Sequence, residues 1–375
     1  MESKIDAIGL SSPLVREDVQ VASSLRFDWT MVIVSVWWLG GLFIDGWAHS
    51  NIPQLETFFT PWHAVFYSGY LAVAITLIVK GLQNLRQSAV STDGTTPSLV
   101  TLVRNSLPGN RWVKAIPNGY GLSALGLAVF GVSGIGDLTW HVIFGIERST
   151  EALLSPTHLG LALGIGLALS GPLRAAWRRS GGVSSWRQLG PAILSLTFTF
   201  SLLTFFTSYA SSLIRPWALV AQSSSPTSGI TDILLNTALM MSFVLLTLRR
   251  WRLPFGTFTF MLGLNGVLMV VFSPHAWVFS IPTALLGGLA ADIVYRFLQP
   301  SPDQPASVRL YAFLVPAMFY ILYFIDLAVI GPISVYQSGI VWTTPFWAGA
   351  PVIAGITGFL LSYVMFPPVS AENEA

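Results

Sequence analysis

Long apolar runs separated by short polar interruptions dominate this chain. Runs able to cross a hydrocarbon core of about 30 Å fall at 28–49, 58–82, 117–145, 152–177, 188–213, 228–249, 254–273, 276–298, 308–331 and 341–367. They predict an all-α, polytopic membrane protein of about ten transmembrane helices, built from tandem helical hairpins. The polar interruptions then divide the chain into an N-terminal segment at 1–26, helices 1–4 at 27–178, helices 5–10 at 179–367, and a tail at 368–375.

The basic residues orient these helices. Of the 19 lysines and arginines, 17 fall before helix 1 or in the connections after even-numbered helices, and only Arg148 and Arg215 fall on the other side. Positive residues are retained on the cytoplasmic face, so both termini are expected in the cytoplasm. The odd-to-even connections then face outward, with a bacterial inner membrane as the expected location. No cleavable signal peptide is expected in the first 26 residues, where charged and apolar residues mix without a long apolar core.

Composition narrows the class without changing the picture. The charged fraction is 10%, against about 25% for soluble domains, so the chain cannot clothe itself in a water-facing surface. The lipid bilayer is its first partner, other membrane subunits or further copies of the chain are candidate partners, and nucleic acid is not. There are no cysteines, which excludes disulfides, thiol nucleophiles and thiolate metal sites together. Any metal must be held by nitrogen and oxygen.

Against this apolar background one polar pattern occurs twice. Asp45-Gly-Trp-Ala-His49 leads through Glu56 to Thr60-Pro61-Trp62-His63, and Asp137-Leu-Thr-Trp-His141 leads through Glu151 to Ser155-Pro156-Thr157-His158. These segments hold four of the five histidines. Buried acids and imidazoles are costly in an apolar protein unless they are paired or bind something. Within each copy the first acid and histidine are four residues apart and share a helix face. The short loop that follows returns the second histidine beside them. One carboxylate and two imidazoles are three of the ligands a metal needs, and imidazole suits copper, zinc and iron. Asp45, His49 and His63, and Asp137, His141 and His158, are therefore the expected metal ligands. Glu56, Glu151, Glu147, His275 and Asp326 are candidates for additional ligands or for acceptors that orient the imidazoles. Asp292 and Arg296, four apart near the end of helix 8, are expected to pair with each other.

The second helix of each hairpin opens on Ser or Thr followed by Pro, a favoured helix start. The same opening recurs at Ser225-Pro226, Ser273-Pro274 and Thr344-Pro345. This suggests an internal repeat in which two of five hairpins keep the metal-binding set.

The string Asp45-x-x-x-His49 followed by Phe59-Thr60-Pro61-x-His63-x-x-Phe66-Tyr67 resembles the metal motif carried by one membrane subunit of the particulate methane and ammonia monooxygenase family. The resemblance covers about residues 43–67, with a degenerate second copy at 137–158 that lacks the Phe-Tyr pair. It implies copper at Asp45, His49 and His63, and by extension at Asp137, His141 and His158. The chain departs from that family's subunit in its larger number of helices. The function expected is an outward-facing copper site, one dinuclear or two mononuclear, with a monooxygenase-like or oxidase-like oxidoreductase activity. Zinc or iron would use the same ligands, and metal transport or a membrane zinc hydrolase are the competing readings.

Overall fold

The computed structural model describes residues 21–52, 59–89, 111–145, 150–179, 185–214, 226–271, 277–330 and 343–368, and all regular structure among them is helical. Two long antiparallel helices, α1 (Leu25–Asn51) and α2 (Pro61–Ser88), form the first hairpin. The short α3 (Arg111–Ala115) precedes α4 (Gly121–Phe144). Another short helix, α5 (Thr150–Leu154), leads into α6 (Pro156–Leu169) and α7 (Gly171–Arg178). The remaining helices are α8 (Trp186–Phe206), α9 (Pro226–Leu248), α10 (Thr257–Met269), α11 (Trp277–Leu298), α12 (Pro305–Ile330) and α13 (Thr344–Met365). Nine spans among the described residues are long and apolar enough to cross a membrane.

Three expectations shift in detail. The fourth span is broken at Ser170, where Gly171-Pro172 starts a new helix, because a proline removes the amide that would continue the ladder. The expected run at 254–273 yields only the 13 residues of α10. At 1.5 Å per residue these cover about 20 Å, short of the hydrocarbon thickness. Asp292 does not pair with Arg296, which is exposed. Its buried carboxylate instead caps α10, accepting from the Phe258 and Thr259 amides at 3.2 and 2.8 Å and from Thr259 Oγ1 at 2.7 Å.

Large aliphatic side chains such as Val132 (73% exposed) and Val364 (75%) stand on the outside. Water would penalise such surface, whereas lipid would not.

Where helices meet, small residues let the backbones approach. A Cβ at Gly41 would lie 2.7 Å from the Phe66 Cα, and one at Gly69 would lie 2.5 Å from the Trp38 Cα. Between α4 and α6, a Cβ at Gly164 would lie 2.7 Å from the Phe130 amide nitrogen. This fits the Gly160-x-x-x-Gly164 spacing, since association inside a bilayer rests on close packing. The two hairpins are joined by aromatic rings. Phe130 of α4 packs on Trp38 of α1 at 4.9 Å and on Tyr70 of α2 at 4.6 Å, and the Tyr70 hydroxyl donates to the Leu127 carbonyl at 3.1 Å. Helices α8–α13 gather around a separate core that contains Tyr311, Tyr320 and Tyr323, while α8 also lends Phe198, Leu202 and Phe205 to the core of the first two hairpins.

The basic ends of α1, α7 and α8 lie together. Arg179 pairs with Asp28 at 2.5 Å, and the Trp29 indole donates to the Arg187 carbonyl at 3.2 Å. The histidine motifs occupy the opposite ends of these hairpins.

Candidate metal centre

Each motif is assembled by one helical hairpin. In the first, α1 carries Asp45 and His49 one turn apart near its C-terminus. His63 is the third residue of α2, and its amide is held by the Thr60 hydroxyl at 3.1 Å. The N-cap that starts the helix thus also fixes the candidate ligand His63. The Asp45 Oδ2 lies 3.7 Å from His49 Nε2 and 3.5 Å from His63 Nε2, and the two imidazole nitrogens are 3.4 Å apart.

These separations exceed good hydrogen-bond lengths of about 2.7–3.2 Å. They match the spacing of donor atoms around one shared ion. A triangle with those sides has a centre about 2.0 Å from each corner, the bond length that zinc makes to imidazole nitrogen or carboxylate oxygen. The Asp45 Oδ1 is buried without a hydrogen-bond partner, which leaves a second carboxylate oxygen at the same place.

The second triad follows the same plan with different supports. Asp137 and His141 are one turn apart on α4, and His158 is the third residue of α6, behind the Ser155 cap. Asp137 Oδ2 is 3.6 Å from His141 Nε2, and Oδ1 is 3.5 Å from His158 Nε2. All three ligand atoms lie within 4.8 Å of one another. The imidazole rings are 5.7 Å apart, against 5.4 Å in the first triad. His141 Nδ1 stands 3.2 Å from the Gly145 carbonyl. A carbonyl only accepts, so Nδ1 carries the proton in this contact and Nε2 keeps its lone pair for the ion. Gly145 takes φ +81° there, a left-handed conformation that glycine adopts without strain.

His158 Nδ1 contacts Ser155 Oγ at 2.6 Å, and Thr157 Oγ1 donates to Asp137 Oδ1 at 3.0 Å. Thr157 fills the variable position of the Ser-Pro-x-His motif, where the first copy has Trp62. Residue spacing does not mark Thr157 as part of the site, and its polarity at that position is the only signal. Ser155→Ala is expected to cost about 1 kcal/mol as a lost helix cap and to weaken metal binding at the second triad about 10–100-fold. The first triad should keep its affinity. Equilibrium metal titration of the variant, alongside thermal unfolding, measures both effects.

Burial and charge sharpen the arrangement. Asp137 is 2% exposed and Asp45 9%, yet among the described residues both carboxylates form ion pairs with histidines alone. A buried carboxylate without a fixed cation is unfavourable, and a bound metal ion would supply the missing charge. One histidine of each triad remains partly open, His49 with 22% and His158 with 20% of its side chain exposed. The triads also sense each other, because Asp45 interacts electrostatically with Asp137 and His141, and His49 with His141 and His158.

The structure brings together six of the candidate residues. Asp326, on α12, accepts a hydrogen bond from Thr283 at 2.6 Å and belongs to neither triad. Glu151 lies on the short α5. Glu56, Glu147 and His275 lie outside the described residues. Of the five Ser/Thr-Pro openings, Thr60 and Ser155 are N-caps whose hydroxyls accept from the ligand histidine. At α13 the cap is Thr343, and Thr344 is already helical. Pro226 starts α9, and Ser225, Ser273 and Pro274 are outside the described residues. The chain is thus a membrane-type helical protein with two Asp/His/His groups able to hold metal ions. No protein-family model, no characterised protein and no solved structure matches it.

Proposed function

We propose that this chain is an integral membrane copper protein whose paired triads act on dioxygen, as a monooxygenase-like or oxidase-like oxidoreductase. The observation that carries this reading is the pairing itself. Two sets of one carboxylate and two imidazoles, each at ligand spacing, lie within one another's electrostatic field. A single structural metal would need only one set.

Copper is favoured over zinc and iron because a given nitrogen and oxygen site binds it most tightly among the common divalent ions. Copper held by two imidazoles and one carboxylate would supply one-electron chemistry together with an open position for a small ligand. The chain's own part is to hold the donor atoms in place, to exclude water with buried aromatic side chains, and to leave His49 and His158 accessible. The distribution of basic residues supports placing the triads at the extracytoplasmic face of a bacterial inner membrane. The local likeness of residues 43–67 to the copper motif of the membrane monooxygenases points to the same chemistry.

The test is reconstitution of the purified protein in detergent. Two copper ions per chain are expected, and the anaerobically loaded copper(I) protein should consume dioxygen when it is admitted. Tight binding of zinc in preference to copper, with no dioxygen uptake, would instead favour a hydrolase or a metal-handling role.

A further inference from the structure

The second half of the chain holds a polar cavity that contains none of the triad residues. Helix α8 ends at Phe206, and the chain continues as a short 3-10 turn, Ser208–Ala210, and the non-helical residues 211–214. Ser211, Ser212, Leu213 and Ile214 are all buried. Non-helical backbone at membrane depth is tolerated only inside protein or against a polar cavity. Here its carbonyls are held from three other helices. Ala210 accepts from Asn236 Nδ2 of α9 at 2.7 Å, Ser212 from the Tyr323 hydroxyl of α12 at 2.8 Å, and Leu213 from the Ser280 hydroxyl of α11. Beside this segment lies a cavity of about 20 Å³, whose polar lining is Thr204, Ser211, Ser212, Asn236, Asn265 and Tyr320. That is room for about one water-sized guest.

The hydrogens of this lining are almost all engaged. Asn236 Nδ2 donates to the Ala210 and Asp232 carbonyls, both at 2.7 Å, which turns its carboxamide oxygen away from them. Asn265 Nδ2 donates to Thr204 Oγ1 at 2.6 Å and to Ser201 Oγ at 3.3 Å. Thr204 gives its own hydrogen to the Ser201 carbonyl at 3.0 Å, and Tyr320 gives its hydrogen to the Ile233 carbonyl at 3.3 Å. Ser212 Oγ, 3.4 Å from the Tyr320 hydroxyl, is then the donor in that contact. Among the six side chains, only the Ser211 hydroxyl keeps a hydrogen to offer. The rest present oxygen lone pairs. A water molecule has two hydrogens and satisfies two such oxygens, whereas a cation draws on lone pairs from every side.

From this lining we infer that the cavity is a sodium site. Divalent ions call for carboxylate ligands, and among the described residues no carboxylate lines the cavity. Thr204 lies in the last turn of α8 and Asn265 near the end of α10, so both helices bring the negative end of their dipole toward the guest. Helix C-terminal ends and unwound backbone are what coordinate sodium inside membrane transporters. The site lies at the triad end of the bundle, since Phe205, next to Thr204, packs on Phe43 of α1 at 5.1 Å.

Sodium itself is the probe. Purified protein in detergent and choline chloride is titrated with sodium chloride at constant ionic strength, and bound sodium is counted with a radioactive tracer. One ion per chain is expected, with a saturable rise in thermal midpoint that choline does not give. Ser211→Ala removes an oxygen without breaking a hydrogen bond among the described residues. It should weaken sodium binding about tenfold, the size of one lost contact to a charged group. Asn265→Asp exchanges a neutral oxygen for a charged one and should strengthen binding about tenfold, which a merely structural role of Asn265 would not produce. It also provides the test if Ser211→Ala does not fold. Absence of bound sodium, with equal melting in both salts, overturns the inference and leaves the cavity to water. Unchanged sodium affinity in both variants overturns it as well. Copper content should stay constant throughout, so failure of the copper reading and failure of this one are separate results.

Discussion

Asp137→Ala should weaken metal binding at the second triad about a hundredfold while leaving the metal-free protein as stable as the wild type, or slightly more so. The two halves of this expectation have different causes. In the metal-free protein Asp137 is 2% exposed and faces His141 at 3.6 Å, His158 at 3.5 Å and the Thr157 hydroxyl at 3.0 Å. That surrounding offers one good hydrogen bond and no fixed positive charge among the described residues. Removing the carboxylate relieves a desolvation cost of several kcal/mol for an ionised group and forfeits only that hydrogen bond, together with a small cavity.

In the metal-loaded protein the balance reverses. Structural zinc sites with about four ligands bind with apparent free energies of about 10–16 kcal/mol, so each ligand accounts for about 3 kcal/mol, or a factor of about a hundred in affinity. At a metal concentration a thousandfold above Kd each triad adds about 4 kcal/mol of stability in the wild type, and the variant's second triad should add about half of that or less at the same concentration. Thermal unfolding with and without copper, combined with metal analysis, reads the crossing directly. Asp45→Ala should behave alike at the first triad. A variant equally destabilised with and without metal would mean that Asp137 is a structural residue, and the metal reading would fail there.

Much of this arrangement can be read from residue spacing. Asp45 with His49 and Asp137 with His141 are local pairs, four residues apart on one helix, and Thr60 and Ser155 are local caps of the helices that carry His63 and His158. Helix geometry and a short connection bring each set together without long-range information. The long apolar spans are legible for the same reason, because each is a property of one contiguous run.

What spacing does not show are partners set by tertiary packing. Asp292 looks like half of an i,i+4 pair with Arg296, yet the packing of α10 against α11 turns it toward the open amides of Phe258 and Thr259. Three amide and hydroxyl donors outcompete one exposed guanidinium, whose pairing in water contributes little. Tyr67 is visible in the motif, but its contact with α4 at Gly134 depends on how α2 packs against α4. Spacing gives Thr157 no role in the site until α4 presents Asp137 beside it. The division of labour is physical. Hairpin-local chemistry is written in the spacing, and contacts between hairpins are decided by close packing at glycines.

Asp28 is the acid that spacing hides most completely, and its replacement should give the opposite signature to that of Asp137. It sits in the first turn of α1, where an acid is commonplace because it complements the helix dipole. In the fold it is fully buried at the end of the bundle away from the triads. Its carboxylate accepts from the Ser23 hydroxyl at 2.6 Å and the Tyr120 hydroxyl at 2.7 Å, and pairs with Arg179 at 2.5 Å. Three separate parts of the chain converge on this one group, so its loss should loosen α1 against α4 and α7 together. Asp28→Ala leaves the Tyr120 hydroxyl buried without its acceptor, an effect of about 1–3 kcal/mol, and unpairs Arg179. Because 35% of the Arg179 side chain is exposed, that guanidinium can regain water, which places the total near the lower end of the range for a broken buried pair, about 3 kcal/mol. Asp28→Asn keeps an acceptor for both hydroxyls and should lose about half as much. Neither variant should change copper content, since the site lies at the far end of α1 from Asp45 and His49. Denaturation in mixed micelles gives the stability and metal analysis gives the occupancy. If Asp28→Ala were to empty the triads while the protein remained folded, the separation between a structural end and a chemical end of the bundle would be wrong.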